Sequence, residues 1–398
     1  MSRRTTRARV AACAAALTLG LAGCAESADS GGDAAATDES GPIRIGAVLD
    51  ITGAGASLGV PERQALELLA GQLEAEGGID GREVELIIED NQSTEDAAAQ
   101  AMNKLVSQDQ VDVVLGASRT GPSLAMRPIA EASQIPMISL AANAAIVEGS
   151  EWVFKSAQND RVVIERMVEY MADQGWTTIG LARDASGFGE GVQEIFDEVG
   201  SEAGISVVAV ERFAPDATDF TAQMVNLRDA AADVNVIWGI PPAAGLAQRA
   251  YAQLGITTPV MQSHGIGNQV FLDTAGEAAN GLVAPLGRLV VADQLPEDDP
   301  QREVITSFIE DYTAEYGEEP STFAGHAYDA WQLAIDALRE VGTDPQAIRD
   351  HLEGVQDFVG ISGTFTMTPE DHSGLSKDAL VLVGVQDGDW TLLPDQGA

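Results

Sequence analysis

The sequence predicts an α/β protein made of two domains of similar size, each built on a mostly parallel sheet. Three observations carry that prediction. Short, nearly all-apolar segments alternate with segments of helical spacing, the pattern of parallel strands covered on both faces by helices. The alternation runs once from residue 43 to about 140 and restarts after residue 160. A chain of 398 residues that is 45% hydrophobic is also long enough for two or three cores at ~150 residues each.

In the first run, 43–49 is an apolar strand with β-branched residues, and 61–76 has helical spacing that ends at Gly77-Gly78. The next strand is 84–89, followed by a helix over 93–107 with Ser93 or Thr94 as N-cap. A third strand over 111–115 leads to a helix from about 122 to 133, and 136–140 is a fourth strand. The second run opens with a helix over 161–174. Strands at 178–183, 206–212, 234–239 and 259–262 then alternate with helices at 189–203, 220–231 and 243–254. From 286 onward the spacing gives helices at 301–316, 322–341 and about 345–353, with strands only near 363–367 and 379–385. That remainder is too thin in strands for a third sheet domain and is expected to complete the first two. No repeat of solenoid length (roughly 20–50 residues) is present.

Composition narrows the function. With 62 acidic against 22 basic side chains, the formal charge is −40. Such acidity opposes nucleic acid, whose phosphates need Lys and Arg partners, and opposes docking on anionic lipid. Two cysteines exclude a disulfide scaffold and a four-cysteine zinc site. His264, His326, His351 and His372 are isolated, without the spacing of a zinc site. There is no phosphate-binding loop, paired-histidine protease motif or serine elbow. Gly187, Gly189 and Gly191 follow a strand and open a helix, but their spacing is not a dinucleotide fingerprint. No enzymatic activity, cofactor or metal is expected.

The N-terminus has a separate role. Arg3, Arg4, Arg7 and Arg9 precede an apolar run over 10–19, and Gly20-Leu21-Ala22-Gly23-Cys24 follows. A positive start, a short apolar stretch and small residues make a secretory signal peptide over 1–23, too short for a spanning helix. Leu21-Ala22-Gly23-Cys24 resembles a bacterial lipobox, which implies lipid on the Cys24 thiol and cleavage before it. Cleavage would leave 375 residues, and losing four arginines would bring the charge to −44. Residues 24–42 then form a flexible acidic tether, with a random-coil reach of roughly 20–25 Å. The expectation is a protein lipid-anchored to the outer face of the cell membrane, or periplasmic.

The folded part carries a family resemblance. Ile45-Gly46-Ala47-Val48, Thr52-Gly53, Gly59 and Glu76-Gly77-Gly78-Ile79-Asp80-Gly81-Arg82 resemble a type I periplasmic binding protein of the leucine/isoleucine/valine-binding group. Glu89-Asp90-Asn91, the stretch 116–120, Ile135-Pro136-Met137-Ile138-Ser139, Phe188-Gly189-Glu190-Gly191 and Ala327-Tyr328-Asp329-Ala330 fit the same pattern in order. The resemblance implies two Rossmann-like lobes joined by three crossover segments, closing over a ligand delivered to an ABC permease. Lobe 1 would comprise 43–160 plus 286–368, and lobe 2 would comprise 161–285 plus 369–398. A monomer is expected. The same fold and tether would also suit a ligand sensor that signals through a membrane partner.

Strand ends locate the site. Ligands of open α/β sheets sit beyond the carboxyl ends of strands, and 116–120 lies at such an end, just before a helix. Free N–H groups and the helix dipole there favour a carboxylate. By the resemblance, Thr120 supplies the carboxylate-binding hydroxyl, and Ala141 and Asn143 supply a backbone carbonyl and a side-chain contact. Phe188 stands where the family often places a tyrosine over the ligand, and Ile240 at another pocket position. The alternative for Thr120 is a plain N-cap, and Trp238 could pack inside the lobe or line the cleft.

His264 departs from the pattern. Amino-acid binders of this group usually have an acid there for the ligand's ammonium, and histidine cannot supply that charge. Burying an unpaired ammonium costs several kcal/mol, so the sequence favours a carboxylate without an amine, an aromatic or other small organic acid. Ser263-His264-Gly265, Ala292-Asp293-Gln294-Leu295-Pro296 and Asp371-His372-Ser373-Gly374-Leu375 resemble members of the group linked to aromatic acids. The alternative is that His264 caps a loop while another acid, such as Asp184, meets the amine.

Overall fold

A computed structural model describes residues 41–394. The expected signal peptide, Cys24 and nearly all of the tether lie outside the described residues. The first layer contains β1 (Ile43–Leu49), α1 (Ala56–Glu76), β2 (Val84–Asp90), α2 (Glu95–Lys104), β3 (Val113–Gly116), α3 (Thr120–Ser133), β4 (Met137–Ser139) and β5 (Val153–Lys155). The five strands run parallel in the order β2-β1-β3-β4-β5. β1, β3 and β4 are buried throughout or nearly so, because helices cover both faces. Thr94 caps α2 by accepting the Ala97 N–H at 3.3 Å.

Two helices begin earlier than their prolines suggest. α1 starts at Ala56 and carries Pro61 inside it. A proline there leaves the carbonyl four residues back, that of Ser57, without its helical donor. Asn268 Nδ2 of the second layer donates to that carbonyl at 3.3 Å. α3 starts at Thr120, so the turn after β3 is short. It is made by Gly116 at φ +115°, where a Cβ would lie 2.2 Å from Val48 O. Only glycine fits so close to the neighbouring strand.

The second layer contains α4 (Asp160–Asp173), β6 (Thr178–Asp184), α5 (Val192–Glu202), β7 (Ser206–Phe213), α6 (Thr221–Ala230), β8 (Val234–Trp238), α7 (Ala243–Gln253), β9 (Val260–Gln262), α8 (Gln269–Ala275) and β10 (Val283–Leu286). After α9 (Arg302–Tyr316), α10 (Thr322–Val341), α11 (Pro345–Glu353) and the small pair β11 (Phe358–Val359) and β12 (Thr364–Phe365), the chain adds β13 (Val381–Gln386) and β14 (Asp389–Leu392). The second sheet runs β14-β13-β10-β9-β8-β6-β7, antiparallel only where β13 meets β10 and β14. α10 packs on α1, so the segment after β10 returns to the first layer and then closes the second with β13. The chain therefore passes between the layers three times. This is the two-lobed α/β fold with three crossovers that the resemblance implied.

Three strands have weak sequence signals. β5 has three residues and ends in a lysine. Pro285 sits inside β10, and proline removes a ladder donor. β14 follows a two-residue turn at Asp387 and Gly388, both at positive φ, a hairpin signal of the Asp-Gly type.

Candidate functional site

The carboxyl ends of the strands from both sheets face one cavity with about 440 Å³ of empty space, counting solvent at its mouth. From the first layer come Ser118, Arg119 and Thr120 after β3, Leu140, Ala141 and Ala142 after β4, and Ala157 after β5. The second contributes Ser186 and Phe188 after β6, Ile240 after β8, and His264 and Gly265 after β9. Leu58 of α1 and Phe323 and His326 of α10 complete the wall. Thr120, Ala141, Phe188, Ile240 and His264 are thus brought together.

Asn143 is placed elsewhere. Its Oδ1 accepts the Ala145 N–H at 2.9 Å, and its Nδ2 donates to Gly187 O at 3.1 Å and Glu190 O at 3.4 Å. It joins the two lobes beside the cavity and is not part of the lining. Ser57 forms a second link, its hydroxyl donating to Pro241 O at 3.1 Å.

Buried acids shape the first wall from behind. Asp50 is fully buried and accepts from Arg119 Nε and from Asn91 Nδ2 at 2.7 Å. Arg119 Nη2 also donates to Ser93 O at 2.5 Å. Ser118 Oγ accepts the Asp50 N–H at 3.0 Å and bonds Glu62. Burial pushes the Glu62 carboxyl well above the usual range, opposed by the Ser118 hydrogen bond and reinforced by Asp50. Thr120 is the first residue of α3 and does not cap it; its hydroxyl is buried without a protein partner.

On the second wall, Asp184 turns the loop that carries Phe188. Its Oδ1 accepts from Ser186 N at 3.0 Å, Ser186 Oγ at 2.7 Å and Gly189 N at 3.1 Å. A Cβ on Gly189 would lie 2.1 Å from Asp184 O. Trp238 is fully buried behind this wall, donating from Nε1 to Phe188 O at 3.2 Å, and is not a lining residue. Phe188 meets the His264 ring edge-on at 5.5 Å. His264 opens a short turn that Ser263, not His264, caps.

Two groups behind His264 escaped the sequence reading. Asp160, the first residue of α4, is fully buried and has one oxygen 3.9 Å from His264 Nε2. Lys155 at the end of β5 is fully buried and donates from Nζ to Ala142 O. A lysine ending an apolar strand was the available signal. Burial pushes Asp160 up and Lys155 down, and each opposes the other's shift. Burial, followed by the charges of His326 and Lys155, pushes His264 down to about 3; burial and Lys155 do the same for His326. Both rings are therefore neutral near pH 7. No group of His, Cys, Asp and Glu among the described residues could hold a metal ion.

A family model described as periplasmic binding protein matches residues 42–389. The chain belongs to the periplasmic binding protein family. A leucine-, isoleucine-, valine-, threonine- and alanine-binding protein of Pseudomonas aeruginosa is 25% identical over 314 residues, covering 78% of this chain and 82% of that protein. The crystal structure of an extracellular ligand-binding receptor from Rhodopseudomonas palustris superposes with a TM-score of 0.83 at 27% identity, covering 88% of this chain and 99% of that one. A branched-chain amino acid transporter substrate-binding protein of Streptococcus pneumoniae, solved with isoleucine, gives 0.78 at 25% identity, covering 89% and 100%. These relatives are binding proteins and not enzymes. The chain is accordingly a solute-binding protein, in a family that works outside the cytoplasm.

The neutral histidines give a test. Unfolded histidine takes a proton near 6.5, whereas these two take one only near 3, so they remove stability as pH falls between those values. Nitrogen-15 NMR of the folded protein should show both the His264 and His326 rings keeping the shift pattern of a neutral imidazole from pH 8 to 5; conversion of either to the imidazolium pattern with a midpoint near 6.5 would refute the buried neutral state.

Proposed function

We propose that the protein is the solute-binding lipoprotein of an ABC importer, anchored through Cys24, and that its interlobe cleft captures a small carboxylate without an amine. An aromatic or other organic acid is favoured over a branched-chain amino acid. In this reading 43–160 plus 286–368 form lobe 1, 161–285 plus 369–398 form lobe 2, and a monomer delivers the ligand to a membrane permease.

One observation carries the choice of ligand: among the described residues no carboxylate side chain lines the cavity, and neutral His264 stands in its wall. Asp160 lies behind His264, Asp184 holds its own loop through Oδ1, and neither lines the cavity. An ammonium in this space would be desolvated without a facing acid, at a cost of several kcal/mol. A carboxylate meets the Thr120 hydroxyl and the first N–H groups of α3, which have no helical partner. Leu58, Leu140, Phe188, Ile240 and Phe323 offer apolar surface for the rest of the molecule.

Calorimetric titration of refolded, tag-free protein with leucine, valine, benzoate and 4-hydroxybenzoate tests this. An acid without an amine should bind more tightly than either amino acid; tight leucine binding would overturn the ligand assignment. In the same assay Thr120→Ala should weaken the acid by ~1–3 kcal/mol, the loss of a hydrogen bond to a charged group. An unchanged dissociation constant would remove Thr120 from the site.

A further inference from the structure

We infer that the Lys155 ammonium is the cationic element of the ligand site, acting through the wall at Ala141 and Ala142 to favour an anionic over an uncharged ligand. The inference rests on the carboxylate reading above and names what gives it charge selectivity. Ala141 and Ala142 line the cavity, and Lys155 Nζ is hydrogen-bonded to the Ala142 carbonyl, so the charge sits one residue behind the lining. The same carbonyl accepts the Asp160 N–H at 3.4 Å.

The partners of this ammonium set it apart from Arg119, the other cation at the cavity. Arg119 donates directly to the buried carboxylate of Asp50, which neutralises it in contact. Lys155 has a neutral carbonyl as its hydrogen-bond partner, and among the described residues no carboxylate lies in contact with it. Asp160 and Asp371 act on it from farther away, and both Asp160 oxygens are without hydrogen-bond partners. A buried charge without a contacting counter-charge is unfavourable, and an anion beyond the Ala142 wall relieves that condition. The charge of Lys155 also acts on His264 and His326, which stand in the same wall. Its field therefore reaches the cavity through a low-dielectric interior, where charge interactions are strong. Lys155 is a positioning and charge-compensating residue, not a ligand contact.

The test compares each acid with its uncharged amide by calorimetry: benzoate with benzamide, and 4-hydroxybenzoate with 4-hydroxybenzamide. Wild-type protein should prefer the acid. Lys155→Met should lower the acid-to-amide affinity ratio by about tenfold or more while changing amide binding little. If Lys155→Met does not fold, because Asp160 loses its compensating charge, the double variant Lys155→Met with Asp160→Asn is compared with Asp160→Asn alone and should show the same loss of preference. An unchanged ratio in a folded variant, including equal losses for acid and amide, would overturn the inference. A wild type with no preference for either acid would overturn the carboxylate reading itself, and that result is read before any variant is made.

Discussion

To hold an anion as proposed, a chain with a formal charge of −40 must keep its own carboxylates off the wall of the site, and the described residues around the cavity are arranged in that way. Four buried acids stand close by, and each has a task behind the lining. Asp50 holds Arg119 and Asn91, Glu62 holds Ser118, Asp184 turns the loop bearing Phe188, and Asp160 faces His264. The acids thus position the strand-end loops, while hydroxyl, backbone and apolar groups line the cavity. Screening helps at long range, because charges beyond about 8–10 Å interact weakly at physiological salt. Close to the cavity, the placement of individual groups decides the field.

The same arrangement links binding to lobe closure. Direct links between the lobes include Ser57 to Pro241, Asn268 to Ser57, Thr322 to Gly267, and Asn143 to Gly187 and Glu190. Each such bond contributes about 0.5–1.5 kcal/mol net. Against them stand buried atoms of the closed wall, Thr120 Oγ and His264 Nδ1, that find no protein partner. An unmatched buried polar atom costs about 1–3 kcal/mol. A ligand that touches both walls would shift the population of the closed arrangement by its differential affinity. Pro61 has a part in this. It frees the Ser57 carbonyl that Asn268 of the other lobe engages.

Much of the fold was legible because parallel strands buried on both faces are mostly apolar, as in β1, β3, β4 and β8. What escaped was local: Pro285 disguised β10, and β14 depends on a two-residue turn. Strand ends pointed to the stretch 116–120 that includes Thr120, while the family pattern singled out Thr120, Ala141, Phe188 and Ile240, and His264 as a departure from it. It also pointed to Asn143, whose side chain turns instead to the opposite lobe. Lys155 and Asp160 were not legible as site residues. In the sequence one ends a three-residue strand and the other follows an N-cap, and only the crossover between the lobes buries them together behind His264.

The central claim is that the cleft holds a carboxylate at the start of α3 and offers no acid to an amine. A crystal structure of the complex with benzoate or 4-hydroxybenzoate, whichever binds more tightly, tests it most directly. The account predicts the ligand carboxylate within hydrogen-bond distance of Thr120 Oγ and the first N–H groups of α3, with the ring against Phe188 and Ile240. A carboxylate bound away from Thr120, or an amino acid found in the cleft with its ammonium on Asp160 or Asp184, would contradict it.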